Sequence, residues 1–397
     1  MHRSAHPSLQ RPTGPARPRR RAALAAVAAL ASAVLVACSG GTAPAESESA
    51  PADGELTPVT LQLQWFAQGQ FAGYYAAVDQ GFYEAAGLDV TITEGGADIV
   101  PQTVLADGAA DFAIAWVPKA LASREQGAMI TDVAQIFQRS GTLQVSFADA
   151  GIDSVDDLAG KNVGSWGFGN EFELFAALTE AGLDPMADVT LVQQAFDMSG
   201  LLAGDIDAAQ AMTYNEYAQL LETVDPETGE LYTADDFSVL DWNEVGTAML
   251  QDAIWASSER LEDPAFEETT IAFIKASIEG WIYARDNPEE AAQIVVDSGS
   301  QLGASHQLWM VNEINRLIWP SDEGVGIIDE DAWEQTVEIA MNTRNQDGAT
   351  VLTAEPDDGA WTNEYVEAAL EQLEEEGADI EGEGFEPIEV ELQEGGQ

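Results

Sequence analysis

Residues 59–116 read VTLQLQWFAQGQFAGYYAAVDQGFYEAAGLDVTITEGGADIVPQTVLADGAADFAIAW, and the rhythm of this stretch decides the fold class. Thr60–Trp65 alternates apolar and polar residues with period two, the pattern of a strand with one face buried. Phe71–Ala86 carries alanines and tyrosines on one helical face and meets Gly87 as its stop. Asp89–Thr93 is a second strand, and Gly95-Gly96 makes the turn after it. Ile99–Leu105 is helical, with Asp98 as its N-cap ahead of Pro101. Asp111–Trp116 forms a third strand, and another helix follows from Pro118. Strand and helix alternating at this spacing predict a parallel sheet with right-handed crossovers, and so an α/β fold.

The same rhythm restarts near Ser154. A short helix over 155–158 is followed by strands at 162–166, 189–193 and 208–212, and by helices at 171–181 and 215–222, with a further helical turn at Leu201-Leu202. From about Trp242 to Gln372 long helices dominate, clearest over 266–285, 289–296, 307–317 and 330–341, and an acidic tail occupies 373–397. Two α/β units followed by helices that return to the first predict two lobes. The ligand cleft is expected between them, because ligands in open α/β sheets sit outside the carboxyl ends of the strands.

Ahead of the folded part, Arg17, Arg19, Arg20 and Arg21 precede an apolar, alanine-rich run over 22–37 that ends in Leu35-Val36-Ala37-Cys38. The run is too short for a membrane span. Small residues before the chain's single cysteine resemble a bacterial lipoprotein signal. Residues 1–37 are therefore expected to be removed and Cys38 acylated, which ties the mature chain to the extracytoplasmic face of the cell membrane. Residues 38–58, rich in Ser, Ala, Glu, Pro and Gly, read as a disordered tether. With no later cysteine there is no disulfide framework and no thiolate metal site. His2 and His6 leave with the signal, so His306 alone remains, which argues against zinc chemistry and a Ser-His-Asp hydrolase. The chain holds 15 basic residues against 70 acidic ones, and Arg3, Arg11, Arg17, Arg19, Arg20 and Arg21 all lie before Cys38. So acidic a mature surface repels nucleic acid and anionic headgroups, leaving the lipid anchor as the only membrane contact; it suits solubility in a salty exterior.

Three strand ends carry a tryptophan: Trp65, Trp116 and Trp166. An indole at the carboxyl end of a strand can stack on a flat ligand at low entropic cost. Gln64, Gln68 and Gln70 surround the first strand's exit, with Tyr74 one helical turn beyond, and side-chain amides match the mixed donors and acceptors of a heterocycle. GSWGFGNE at 164–171 links a strand to a helix; its glycines let backbone approach a ligand, but it is no dinucleotide fingerprint. Asn170 is expected to cap the helix, and the Glu171 carboxylate could bind an amino group of a ring. Tyr214-Asn215-Glu216 repeats the theme, while Phe196, Met198 and Met212 offer soft apolar walls. No paired carboxylates, metal triad or nucleophile elbow stands out, so the chain reads as a binding protein without metal or cofactor.

Several segments carry a family likeness: WFAQGQFAGYYAAVDQGFY at 65–83, GLDVTI at 87–92, GG at 95–96, ADFAIAW at 110–116, SREQGA at 123–128 and GFGNEFELFAAL at 167–178. YNEYAQ at 214–219, WNEVGTAML at 242–250, RDNPEE at 285–290 and LIWP at 317–320 extend it over most of the mature chain. Together they resemble the thiamine-pyrimidine superfamily, which includes solute-binding lipoproteins of ABC importers for pyrimidine thiamine precursors, sulfonates and riboflavin. The later segments are most similar to riboflavin-binding importer proteins. The resemblance implies a type 2 periplasmic-binding-protein fold, with 59–146 and 243–372 forming one lobe and 147–242 the other. It implies a monomeric receptor that hands a flat nitrogen heterocycle, riboflavin or a thiamine-type aminopyrimidine, to an ABC permease. The implied site is Trp65, Gln70, Tyr74 and Trp116 from the first lobe, with Trp166, Asn170, Glu171, Tyr214, Asn215 and Glu216 from the second. Alkanesulfonate or nitrate is the alternative ligand, against which stands the scarcity of cations (Lys119, Arg124, Arg139, Lys161). The superfamily's synthases are the alternative function; they use a cysteine-rich iron site, pyridoxal phosphate and a histidine that is consumed, and this chain lacks the cysteines.

Overall fold

The computed structural model describes residues 56–397; the leader, Cys38 and nearly all of the tether lie outside the described residues. Strands β1 (Thr57–Gln62), β2 (Leu88–Thr93), β3 (Phe112–Trp116), β4 (Ile130–Gln135) and β10 (Asp252–Ser257) form a five-stranded sheet in the order β2-β1-β3-β10-β4. β1 runs parallel to β2 and β3, as the strand–helix rhythm requires, whereas β10 is inserted antiparallel between β3 and β4. A second body contains β5 (Thr142–Phe147), β8 (Ala209–Met212) and β9 (Phe237–Asp241) in an antiparallel sheet ordered β8-β5-β9. The parallel pair β6 (Asn162–Ser165) and β7 (Thr190–Gln193) joins it through a bridge from Val163 to Ala208.

The chain passes from the first body to the second between Gln135 and Thr142, and returns between Asp241 and Asp252. Side-chain amides knit these two passages together. Asn243 donates Nδ2 to the Ser140 carbonyl at 2.8 Å and accepts from the Ser140 amide at 3.0 Å. Gln251 accepts from the Gly141 amide at 2.9 Å and donates to Thr142 Oγ1 at 2.7 Å.

Leu61, Phe112, Ile114 and Ile254 form one buried face of the five-stranded sheet, which packs on the helix Pro264–Asp286. That helix opens with Pro264 in its first turn and the Asp263 carboxylate accepting from the Ala265 amide at 3.0 Å, an arrangement favoured at helix starts. The helix Ala72–Asp79 lies against it so closely that a Cβ at Gly280 would sit 2.0 Å from the Gly73 carbonyl oxygen.

Several expectations shift. The helix foreseen over 71–86 is two helices, Ala72–Asp79 and Phe82–Ala85, divided where Gly81 adopts φ of 75°. β1 ends at Gln62, so Trp65 stands three positions past the strand rather than on it. Residues 373–376 still belong to the helix Glu364–Glu376. The residues beyond it return to the body, where the Gly395 amide donates to the Glu222 carbonyl at 3.1 Å and the Ser305 amide to the Gln397 carbonyl at 3.3 Å.

Candidate functional site

A cavity of about 570 Å³ opens beyond the carboxyl ends of β1, β3, β6 and β8, with walls from both sheet bodies. Trp65, Trp116 and Trp166 all line it, so the three strand-end indoles converge on one space. Phe196, from the loop after β7, lies between two of them. Its ring centroid is 5.2 Å from that of Trp65 and 6.2 Å from that of Trp166, the latter pair near parallel at 29°. Trp166 is fixed from behind, its indole N–H donating to the Ala195 carbonyl at 3.2 Å and its backbone amide to Gln210 Oε1 at 3.0 Å. Phe168 stands at the rim, almost fully exposed and with φ of 54°, a left-handed conformation that bulky residues rarely adopt.

Among the other anticipated residues, Gln70, Asn170, Tyr214, Asn215 and Glu216 line the cavity, as do Gln64, Gln68 and Met212. Tyr74 and Glu171 do not. Tyr74 turns into the core, edge-on to Trp281 with centroids 5.5 Å apart, because its helical face packs on Pro264–Asp286. Glu171 is buried, and its Oε2 accepts from the Gly169 amide at 2.8 Å, bracing the glycine loop from within. Asn170 does not cap the following helix, Phe172–Glu180; its Nδ2 donates to the Gly167 carbonyl at 2.7 Å and its Oδ1 accepts from Lys119 at 2.8 Å. Asp98 likewise caps nothing, the helix Pro101–Ala106 having Val100 at its N-cap, and instead borders the cavity beside Gln102.

The residue that organises this wall is Asp252, at the start of β10, which the sequence reading passed over. Its Oδ1 accepts from the indole N–H of Trp116 at 2.8 Å and from Gln64 Nε2 at 2.5 Å, and its Oδ2 from Gln70 Nε2 at 2.8 Å. Burial pushes this carboxyl up to about 7, against the pull of those donors and of the Lys119 ammonium. Lys119 keeps part of its surface on the cavity and sits 4.5 Å from the centroid of the Trp116 ring. Burial pushes it down to about 8, opposed by Glu171 and Asp252. On the second body, Glu216 accepts from the Met212 amide at 3.0 Å and from Asn215 Nδ2 at 3.0 Å, and burial raises it to about 7. Tyr214 is pushed well above the ordinary phenol range by burial and by the nearby Asp252 and Glu216 carboxylates.

His306, which the sequence places in the helical third block, stands directly behind this wall. Its Nε2 is 3.0 Å from Asn215 Oδ1, and its Nδ1 is 2.9 Å from Glu222 Oε1, so both ring nitrogens are engaged by the protein. Chemically the site offers stacking surfaces, amides and carboxylates around a solvent-accessible space, which suits reversible capture of a flat polar molecule.

Comparison with known proteins places these features in a family context. Residues 68–291 match the family described as NMT1/THI5 like. The chain is 28% identical over 351 residues to the riboflavin-binding protein RibY of Chloroflexus aurantiacus, covering 84% of this chain and 94% of that protein. It is 22% identical over 255 residues to a formylaminopyrimidine-binding protein of Halalkalibacterium halodurans, covering 64% of this chain and 74% of that one. Among solved structures it is similar to a putative periplasmic sulfonate-binding protein of a sulfonate ABC transporter from Methylobacillus flagellatus. The TM-score is 0.58 at 17% identity, over 85% of this chain and 99% of the other. At that identity the likeness speaks for the fold, which is the periplasmic-binding-protein fold.

Proposed function

The chain belongs to the NMT1/THI5-like family, and we propose that it is the extracytoplasmic substrate-binding component of an ABC importer that captures a flat nitrogen heterocycle. One observation carries this reading: Trp65, Trp116 and Trp166 converge, with Phe196, on a cavity rimmed by amides and carboxylates. Its volume, about 570 Å³, falls within the roughly 300–1,000 Å³ of sites that bury drug-sized ligands. Riboflavin is the first ligand, in keeping with the relative of that name, and an aminopyrimidine is the second. Among the described residues Lys119 is the only cation bordering the cavity, which weighs against alkanesulfonate or nitrate.

In this reading the two sheet bodies are lobes that close on the ring, and the closed form is what the permease recognises. The mature protein acts as a monomer, held at the outer face of the cell membrane by lipid on Cys38; no helix of the described residues is long and apolar enough to cross a membrane. It turns nothing over. His306, the one histidine among the described residues, is spent on Glu222 and Asn215 and is not positioned as a reactant.

Calorimetric titration of the full chain with riboflavin, an aminopyrimidine and an alkanesulfonate tests the assignment. Saturable binding of riboflavin with no change in the ligand is expected. Turnover of the ligand, or binding of the sulfonate alone, would refute it.

A further inference from the structure

We propose that Asp252 is a positioning residue that turns the first wall of the cavity into an array of hydrogen-bond acceptors. The site then selects ligands rich in N–H and O–H donors and rejects anions. This rests on the reading that the cavity is the ligand site. An indole nitrogen can only donate, so the contact from Trp116 Nε1 makes Asp252 Oδ1 an acceptor, and in its ionised form, above about pH 7, the carboxylate has no donor to give. Each glutamine that touches it must spend its NH₂ inward, as Gln64 and Gln70 do. Gln68 then donates its own nitrogen to Gln70 Oε1 at 2.8 Å and carries the same polarity one residue outward.

What remains for the cavity is oxygen. Gln64 and Gln68 both line it, and no described residue donates to the Oε1 of either. Gln102, on the helix Pro101–Ala106, also lines the cavity, with its Oε1 buried and without a partner, an uncommon state for a side-chain oxygen. The loop bearing Gln68 and Gln70 is locked in place, since the Gly69 amide donates to the buried Gln307 Oε1 at 2.6 Å. Across the cavity Glu216 adds another carboxylate. A ligand bringing hydroxyls or amines meets partners for each of them. An anion brings only acceptors and on this wall finds lone pairs facing lone pairs, while the one ammonium at the cavity, Lys119, already donates to Asn170 Oδ1 at 2.8 Å.

The test is the full chain carrying Asp252→Asn, which keeps the shape but replaces one acceptor by a donor, so that one glutamine must reverse and show its NH₂ to the cavity. Side-chain amide exchange followed by NMR reads this without any ligand. Gln64 and Gln70 amide protons are expected to exchange slowly in the native chain, and at least one of them faster in the variant. Unchanged exchange of both would overturn the proposal. With ligand, the native chain is expected to bind riboflavin about fivefold or more tighter than lumiflavin, which has the same ring but no hydroxyls, since two hydrogen bonds of ~0.5–1.5 kcal/mol are at stake. The preference should shrink severalfold in the variant. Gln68→Leu, which leaves Asp252 with all its donors, should shrink it too, and serves if the first variant folds poorly. An equal preference in native and variant chains, or tight binding of an alkanesulfonate by the native chain, would also overturn it. If no flavin binds but an aminopyrimidine does, and Asp252→Asn weakens that binding, the flavin assignment falls while the role of Asp252 stands.

Discussion

Phe196 stands between Trp65 and Trp166 yet is 53% exposed, so its ring is available to a ligand and contributes little to the core. Phe196→Ala should weaken riboflavin binding by the worth of one aromatic contact, about 0.5–1.5 kcal/mol, while the thermal midpoint barely moves; titration and a melting curve on the same sample check both. The tryptophans of the site were legible in the sequence because strand ends in parallel units open toward ligands whatever else surrounds them. Tyr74 was misread for a reason of the same scale: one helical turn from the exit, its side chain points to Trp281 and away from the cavity. Asp252 gave no signal at all. It matters only because Gln64, Gln70 and Trp116, distant in the chain, place three donors around it.

At the scale of elements, β1 and β2 follow the alternation of their sequence and β3 its apolar run between turns, whereas β4, β5, β9 and β10 are not apparent in the sequence. β4 is buried at all six positions, including Asp132 and Gln135, and β10 at five of six. When both faces of a strand are covered the period-two pattern disappears, and a polar residue held by the fold resembles a break. The contact between Ala72–Asp79 and Pro264–Asp286 was equally hidden, since it depends on a glycine opposite a backbone carbonyl. A methyl group at Gly280 would lie 2.0 Å from the Gly73 oxygen and 2.8 Å from Ala77 Cβ. Gly280→Ala is expected to lower stability by about 1–3 kcal/mol in a denaturant titration, despite alanine's better helix propensity. A stabilised variant would mean that the two helices can part at little cost.

Across the whole molecule, buried carboxyls, Asp132 and Glu313 among them, link stability to pH. Asp252, Glu173 and Glu216 are each raised to about 7 by burial, from ordinary values of 3.8, 4.5 and 4.5. Between those ordinary values and about 7 the folded chain holds protons that the unfolded chain has released, so stability falls as pH rises through this window. The carboxylates held below their usual range (Glu125, Asp157, Asp197 and Asp225) act in the opposite sense, but only at lower pH. Melting at high salt, which screens self-repulsion in a chain of net charge −55, should give a higher midpoint near pH 5 than near pH 7.5. Glu173→Gln, which can still accept from the Met249 amide, should flatten part of that slope, and stability that climbs with pH would contradict the assignment. The central claim is that a flat heterocycle is held among the strand-end tryptophans, and tryptophan fluorescence tests it most directly. Riboflavin titrated into the native chain and into Trp166→Leu should quench emission saturably at micromolar concentration or below, with the midpoint about tenfold or more higher in the variant. No quenching, or the same midpoint in both chains, would contradict it.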